Sequence, residues 1–295
     1  MLYKQNVVLG ASLILISELM FASMGASVKA ISVELPNEMS VFMRNAIGLL
    51  FLSVWLFRHG PGQLKTRILH VHLLRASIGL SAMYCFFYAL AQLPLAQGLL
   101  LKMTAPLFMP LIAYLWLKEQ APRLALLALP LGFAGVILVL EPGAADFEWA
   151  ALIGLAGGLL AAIAKVTVRR LGKTEPTYRV VFYFSLIATL ISAVPLTWAW
   201  QTPEPRTWGL LIFMGAAGTL GQLLLTRGYA IANASQVAPF TYFSVLYGAA
   251  FGYLFWDEVL DVGFISGAVL IAIAGLLAIR KNGRSVPQIA TVNDG

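Results

Sequence analysis

Along the chain, apolar runs of about twenty residues alternate with short clusters of charged, glycine and proline positions from one end to the other. At 1.5 Å per residue such a run covers about 30 Å, the thickness of a bilayer's hydrocarbon core. The runs predict helical spans near 7–31, 39–57, 73–91, 96–116, 124–140, 149–167, 180–200, 207–226, 237–256 and 262–279. No stretch is left over for a separate soluble domain. The expected fold is an all-α polytopic membrane protein of ten transmembrane helices, with the lipid bilayer as its first partner.

Composition supports this. The 295 residues are 60% hydrophobic and 11% charged, whereas soluble domains carry about a quarter charged residues. The single cysteine, Cys85, excludes an internal disulfide and a thiolate cluster. His59, His70 and His72 fall in or beside one predicted loop, and no span carries a histidine or cysteine pair, so no metal, cofactor or catalytic site is expected. Span 1 has the look of a secretory signal, but Glu18 interrupts its core and a related segment recurs later, so it is read as retained.

Lysines and arginines collect on alternate loops. If the N-terminus is cytoplasmic, the inside loops hold Lys4, then Arg58, Lys65, Arg67 and Arg75, then Lys118 and Arg123, then Arg169 to Arg179, Arg227, and Arg280 to Arg284. The outside loops hold mainly acids, among them Glu34, Glu38, Glu204 and Glu258. This asymmetry predicts an inner-membrane protein with both termini in the cytoplasm, and it explains the net charge of +7 without a nucleic-acid partner.

Two halves can be superposed by sequence. YALAQLPLAQ at 88–97 resembles YAIANASQVA at 229–238, and each precedes an apolar run closing on an acid, WLKEQ ending at 120 and FWDEV ending at 259. GFAGVILVL at 132–140 resembles IAIAGLLAI at 271–279. The halves are 1–142 and 146–283, followed by a cytoplasmic tail at 284–295. Five spans per half, an odd number, would insert the second copy upside down, giving two inverted repeats around a central cavity. A match of leucine- and alanine-rich stretches by composition alone is the competing explanation. Glu18, Ala22, Gly25 and Lys29 share one face of span 1, and Gly158, Ala162, Lys165 and Arg169 occupy the corresponding places in span 6. Small and polar stripes of this kind suit close packing or a cavity wall better than lipid.

This order of elements, with the fourth span of each half ending on a glutamate (Glu119 and Glu258), resembles the drug/metabolite transporter superfamily, in particular its EamA-type members. The resemblance implies a permease whose cavity is lined by helices 1, 3, 4, 6, 8 and 9, with 5 and 10 peripheral. Members move amino acids, nucleotide-linked compounds, cofactors and drugs, so the solute is not implied.

Buried charge supplies the candidate site. Glu18 lies about 16 Å into span 1, near the midplane, where an ionised group costs on the order of 2.5–3.5 kcal/mol. It is either a structural, paired acid or a group that binds a solute amine or a coupling proton. Lys102 either snorkels to the interface or, sharing a face with Pro106 and Pro110, lines a hydrated cavity in which the prolines bend the helix and act in gating. Arg44 is open to pairing with Glu38 at the mouth or to a cavity role, while Lys165 and Arg227 read as interfacial anchors. Tyr84, Tyr88, Gln222 and Tyr242 complete the candidate substrate contacts. The expected function is secondary active export of a small anionic or zwitterionic solute by alternating access, with the proton as candidate coupling ion. Alternatives are a nucleotide-linked compound, a cofactor or a cationic drug; more remote are a non-transporting scaffold and an intramembrane enzyme.

Overall fold

A computed structural model describes residues 7–60, 64–105, 107–108, 112, 115, 123–140, 149–171, 174–231 and 238–279. The helices are α1 (Val7–Ile31), α2 (Asn37–His59), α3 (Leu69–Gln92), α4 (Leu95–Lys102), α5 (Arg123–Leu140), α6 (Trp149–Leu171), α7 (Thr177–Ser192), α8 (Pro205–Ile231), α9 (Phe243–Trp256) and α10 (Val262–Ile279). Among the described residues, Val8–Ile31, Leu69–Gln92, Trp149–Val168 and Pro205–Leu225 are long and apolar enough to cross a bilayer. Each apolar run becomes a helix because in hydrocarbon only an intra-segment hydrogen-bond ladder satisfies the backbone.

Prolines punctuate the ladder. Pro36, Pro94 and Pro176 stand immediately before α2, α4 and α7, where their missing N–H costs nothing. The span expected at 180–200 is interrupted. The helix ends at Ser192, turns through Ala193 to Pro195, and resumes for one turn at Leu196–Ala199, since Pro195 has no N–H to continue it. The span expected at 237–256 likewise opens as a tighter 3-10 turn at Ala238–Tyr242, which contains Pro239. In span 4 the helix pauses at Met103 and Thr104, where Thr104 Oγ1 donates to the Leu101 carbonyl at 2.6 Å. Pro106 offers no N–H to the Lys102 carbonyl, so the sequence cannot close a regular turn there.

Several of the larger helix contacts are exchanged with one another when each helix is replaced by the one five places along, whereas α1 with α3 and α2 with α3 have no counterpart of similar extent. α1 lies against α8 as α6 lies against α3, α1 against α9 as α6 against α4, and α2 against α8 as α7 against α3. The pairs α4 with α9, α2 with α7 and α5 with α10 map onto themselves. One apolar core joins α1, α2, α3, α7 and α8 around Phe21, Met24, Leu80, Phe87 and Met214. A second joins α4, α5, α9 and α10 around Leu100, Val136, Val245 and Ile271. Leu50, Phe213, Leu254 and Ile273 are exposed on the periphery, a pattern that a bilayer tolerates and water does not.

α5 and α10 touch backbone to backbone. A Cβ added at Gly267 would meet the Gly135 carbonyl oxygen at 2.7 Å, and one added at Gly135 would meet the Gly267 carbonyl oxygen at 2.8 Å. The two glycines permit this approach, the small-residue packing by which helices associate in lipid.

Candidate substrate-binding site

Three serines of α1 spend their hydroxyls on their own helix: Ser17 donates to Ile14 O at 2.7 Å, Ser23 to Leu19 O at 2.8 Å and Ser27 to Ser23 O at 3.0 Å. Glu18 has no such local partner. Its side chain, only 2% exposed, turns into the bundle, lies near Ser244 of α9, whose hydroxyl donates to the Thr241 carbonyl at 2.9 Å, and interacts electrostatically with Lys102 of α4 and Lys165 of α6. Its Oε2 has no hydrogen-bond partner among the described residues. The four groups come from α1, α4, α6 and α9, so the cluster gathers side chains from both halves of the chain.

Lys102 does not snorkel. Its Nζ lies 4.4 Å from the Phe21 ring centroid and 5.2 Å from that of Phe86, held between two aromatic faces within the bundle. Lys165, expected as an interfacial anchor, carries accessible surface and interacts electrostatically with both Glu18 and Lys102.

Arg44 does not pair with Glu38. Arg44 is 2% exposed; Nη1 donates to Asn45 Oδ1 at 3.0 Å and Nη2 to Gly218 O at 3.5 Å, while Nε has no hydrogen-bond partner among the described residues. It lines a cavity of about 180 Å³ together with Arg75, Phe184, Ser185, Thr219 and Gln222. The structure therefore brings Gln222 beside Arg44 across α8 and α2.

The tyrosines are placed elsewhere. Tyr84 packs against the first core, and its main-chain carbonyl accepts from Asn37 Nδ2 at 3.1 Å. Tyr88, one turn further on, is 37% exposed. Tyr242 lies between α9 and α10, its hydroxyl donating to Ile271 O at 3.4 Å. Pro106, Pro110 and Glu119 lie outside the described residues.

Arg75 and Ser244 escaped the sequence reading. The helical run was expected from residue 73, which left the histidines on or beside a loop, with Arg75 at the span's edge counted among the loop charges. α3 instead begins at Leu69, so His72 is buried, its ring 4.6 Å from that of Tyr183, and Arg75 is inside the bundle, 4.4 Å from the Phe184 ring centroid. The signal was available in the buried positions Val71, Ala76, Gly79 and Leu80, which follow helical spacing across Arg75.

Apolar helices that hide a carboxyl and several cations at their centre, and turn leucine and phenylalanine outward, fit a multi-pass membrane protein, and its family and relatives make it a transporter of small molecules, not an enzyme. The sequence pattern of the EamA-like transporter family matches residues 8–141 and again 148–280, and the chain belongs to that family, within the drug/metabolite transporters. Its relatives include the "Pseudopaline exporter CntI" of Pseudomonas aeruginosa, 36% identical over 90% of this chain and 94% of the relative. They also include the "Riboflavin transporter" of Vibrio cholerae, 30% identical over 92% and 93%, and the "S-adenosylmethionine uptake transporter" of Rickettsia felis, 24% identical over 84% of each. A solved structure described as "Crystal structure of protein" has the same fold, with a TM-score of 0.65 at 17% identity, covering 91% of this chain and 96% of that one.

Proposed function

We propose that this protein is a secondary active exporter of a small anionic or zwitterionic metabolite, working by alternating access. The observation that carries the reading is the cluster of Glu18, Lys102 and Lys165 inside the bundle, with Arg44 close enough to interact with Lys102. One acid among three cations gives the interior an excess of positive charge that attracts a carboxylate or phosphate, while Glu18 is available to a solute amine or a proton. Gln222 adds a neutral polar contact.

The helix contacts that recur five places along and the doubled family match support two five-helix repeats, 1–142 and 146–283, inserted in opposite orientations. With the lysine and arginine asymmetry, both termini face the cytoplasm of the inner membrane. Rocking of the halves opens the cavity to each side in turn, with Pro106 and Pro110 as the bending points of helix 4. Export is favoured by the relative named as an exporter, the most similar of those described above.

The test is flux in proteoliposomes for solutes selected by thermal shift of the purified protein. Lys102→Met should weaken transport of carboxylate-bearing solutes much more than of cations. Equal loss for both, or transport of cations alone, would sink the assignment.

A further inference from the structure

We propose that Arg44 and Arg75 form an oxyanion-binding subsite, a pair of guanidiniums that together grip a carboxylate or phosphate group in the cavity between α2, α3, α7 and α8. This deepens the transport reading by naming the part of the solute the cavity holds, and it rests on its own geometry.

Both arginines line the same cavity and interact electrostatically with each other, yet among the described residues neither has an ion pair. Two uncompensated like charges in a low-dielectric interior are costly, and the cost is relieved when an anion joins them. Glu175 is the acid at the cavity wall, but its oxygens are engaged: Oε1 accepts from Thr66 Oγ1 at 2.7 Å and Oε2 from Arg179 Nη1 at 2.6 Å.

The unused donors lie on the guanidinium edges. Phe184 lies against the Arg75 group at 4.4 Å and compensates part of its charge, but a ring accepts no second N–H fork. Among the described residues, Arg75 Nε and Nη1 and Arg44 Nε are buried without a hydrogen-bond partner. Three orphan donors from two planar groups suit the oxygens of one carboxylate or phosphate. The volume of about 180 Å³ accommodates such a group, since a single water needs only about 10–15 Å³ of it.

Two glycines make the room. A Cβ at Gly79 would meet Arg75 Nη1 at 1.9 Å, and one at Gly218 would meet Arg44 Nε at 3.1 Å. The helices are hollowed where the guanidiniums sit. Because Arg44 also interacts with Lys102, the subsite adjoins the central cluster, and one solute can place its anionic end here while Glu18 meets its other end.

The experiment measures binding to the full-length purified chain by calorimetry and thermal shift, with inorganic phosphate and with succinate, each against chloride at matched ionic strength. Both oxyanions should raise the melting temperature saturably. Arg75→Gln and Arg44→Gln should each weaken phosphate binding about tenfold or more. In chloride buffer without phosphate or carboxylate, Arg75→Gln should melt at the same or a higher temperature, because a buried uncompensated charge has been removed. Gly79→Ala keeps the charge and displaces the guanidinium; it too should weaken phosphate binding, and it serves if Arg75→Gln does not fold.

Nanodiscs of phosphatidylcholine with and without phosphatidylglycerol separate the two sources of phosphate. Equal phosphate affinity in both supports a soluble solute, and competition by the anionic lipid supports a headgroup in the same subsite. No oxyanion-dependent shift in the wild type, or an undiminished shift in Arg75→Gln and Gly79→Ala, would overturn the proposal. A chain that binds phosphate in this way but moves no solute would overturn the transport reading and leave the subsite standing.

Discussion

Lys29 Nζ lies 2.7 Å from Glu258 Oε1 and also donates to the Leu93 carbonyl at 2.7 Å, while Glu258 Oε2 accepts from the Leu95 amide at 2.8 Å. One ion pair thus ties together the end of α1, the α3–α4 corner and the end of α9. Asp257 takes a left-handed conformation, φ 53°, which ends α9 and turns Glu258 back toward Lys29. The cavity with Arg75 and Glu175 lies near the opposite end of α3, about 25 Å away along a helix that rises 1.5 Å per residue. The bundle is latched at one end and hollow toward the other.

Breaking the latch should be costly and non-additive. Lys29→Met leaves the Glu258 carboxylate with the Leu95 amide alone and should lower apparent stability by about 1–3 kcal/mol. Adding Glu258→Gln should cost less than the sum of the two single changes. Thermal unfolding of the cycle in detergent checks this, and strict additivity would show that the pair is not coupled. In liposomes both single variants should increase labelling of cysteines placed at the α3–α4 corner.

Glu18→Gln keeps the shape and the contact with Ser244 and removes the ionisable group. If a proton on Glu18 drives transport, uphill movement should disappear while exchange of labelled solute persists. Counterflow and gradient-driven uptake measured side by side decide it. Full uphill transport by Glu18→Gln would remove Glu18 from coupling.

Gly267→Ala should destabilise the α5–α10 pair by about 1–3 kcal/mol, since the added methyl meets Val139 Cγ2 at 2.6 Å and the Gly135 carbonyl oxygen at 2.7 Å. A carbonyl of the facing backbone cannot rotate away as a side chain can. Gly209→Ala is the control. Nothing lies within 4 Å of its added Cβ, and in a helix the change should be neutral or stabilising. Melting temperatures that fail to separate the two would refute the close-approach argument.

Glu34, outside the spans, accepts from the Glu204 backbone N–H at 2.8 Å and from the Thr207 hydroxyl, capping the start of α8. These bonds, the Glu204 amide first, hold its carboxyl below the ordinary value of 4.5. A lowered pKa in the folded state contributes stability that is present above the unfolded value and is lost as pH falls through the folded one. The melting-temperature gap between wild type and Glu34→Ala should therefore be steady from pH 8 to 6 and shrink below about 4.5. A gap independent of pH would place the effect of Glu34 in packing instead.

Much of the fold was legible in the chain. Partition into a bilayer is a sum over neighbouring residues, so α1, α6 and α10 begin within a residue or two of their apolar runs, whereas α7 and α9 differ at Pro195 and Pro239. Glu18 stood out for the same local reason, as a carboxyl in the middle of a span.

What tertiary structure decided is which charges meet. Helical periodicity assigns a residue to a face but does not say which helix that face touches. Lys165 read as an anchor and Arg75 as a loop cation because each is near the end of its own run. Only the approach of α1 and α4 puts Lys165 beside Glu18, and only α2 and α7 give Arg75 its neighbours Arg44 and Phe184. Hydrophobicity acts along the chain, so sequence determined where the helices run; electrostatic pairing acts across distances between segments far apart in sequence, so packing alone determined what they enclose.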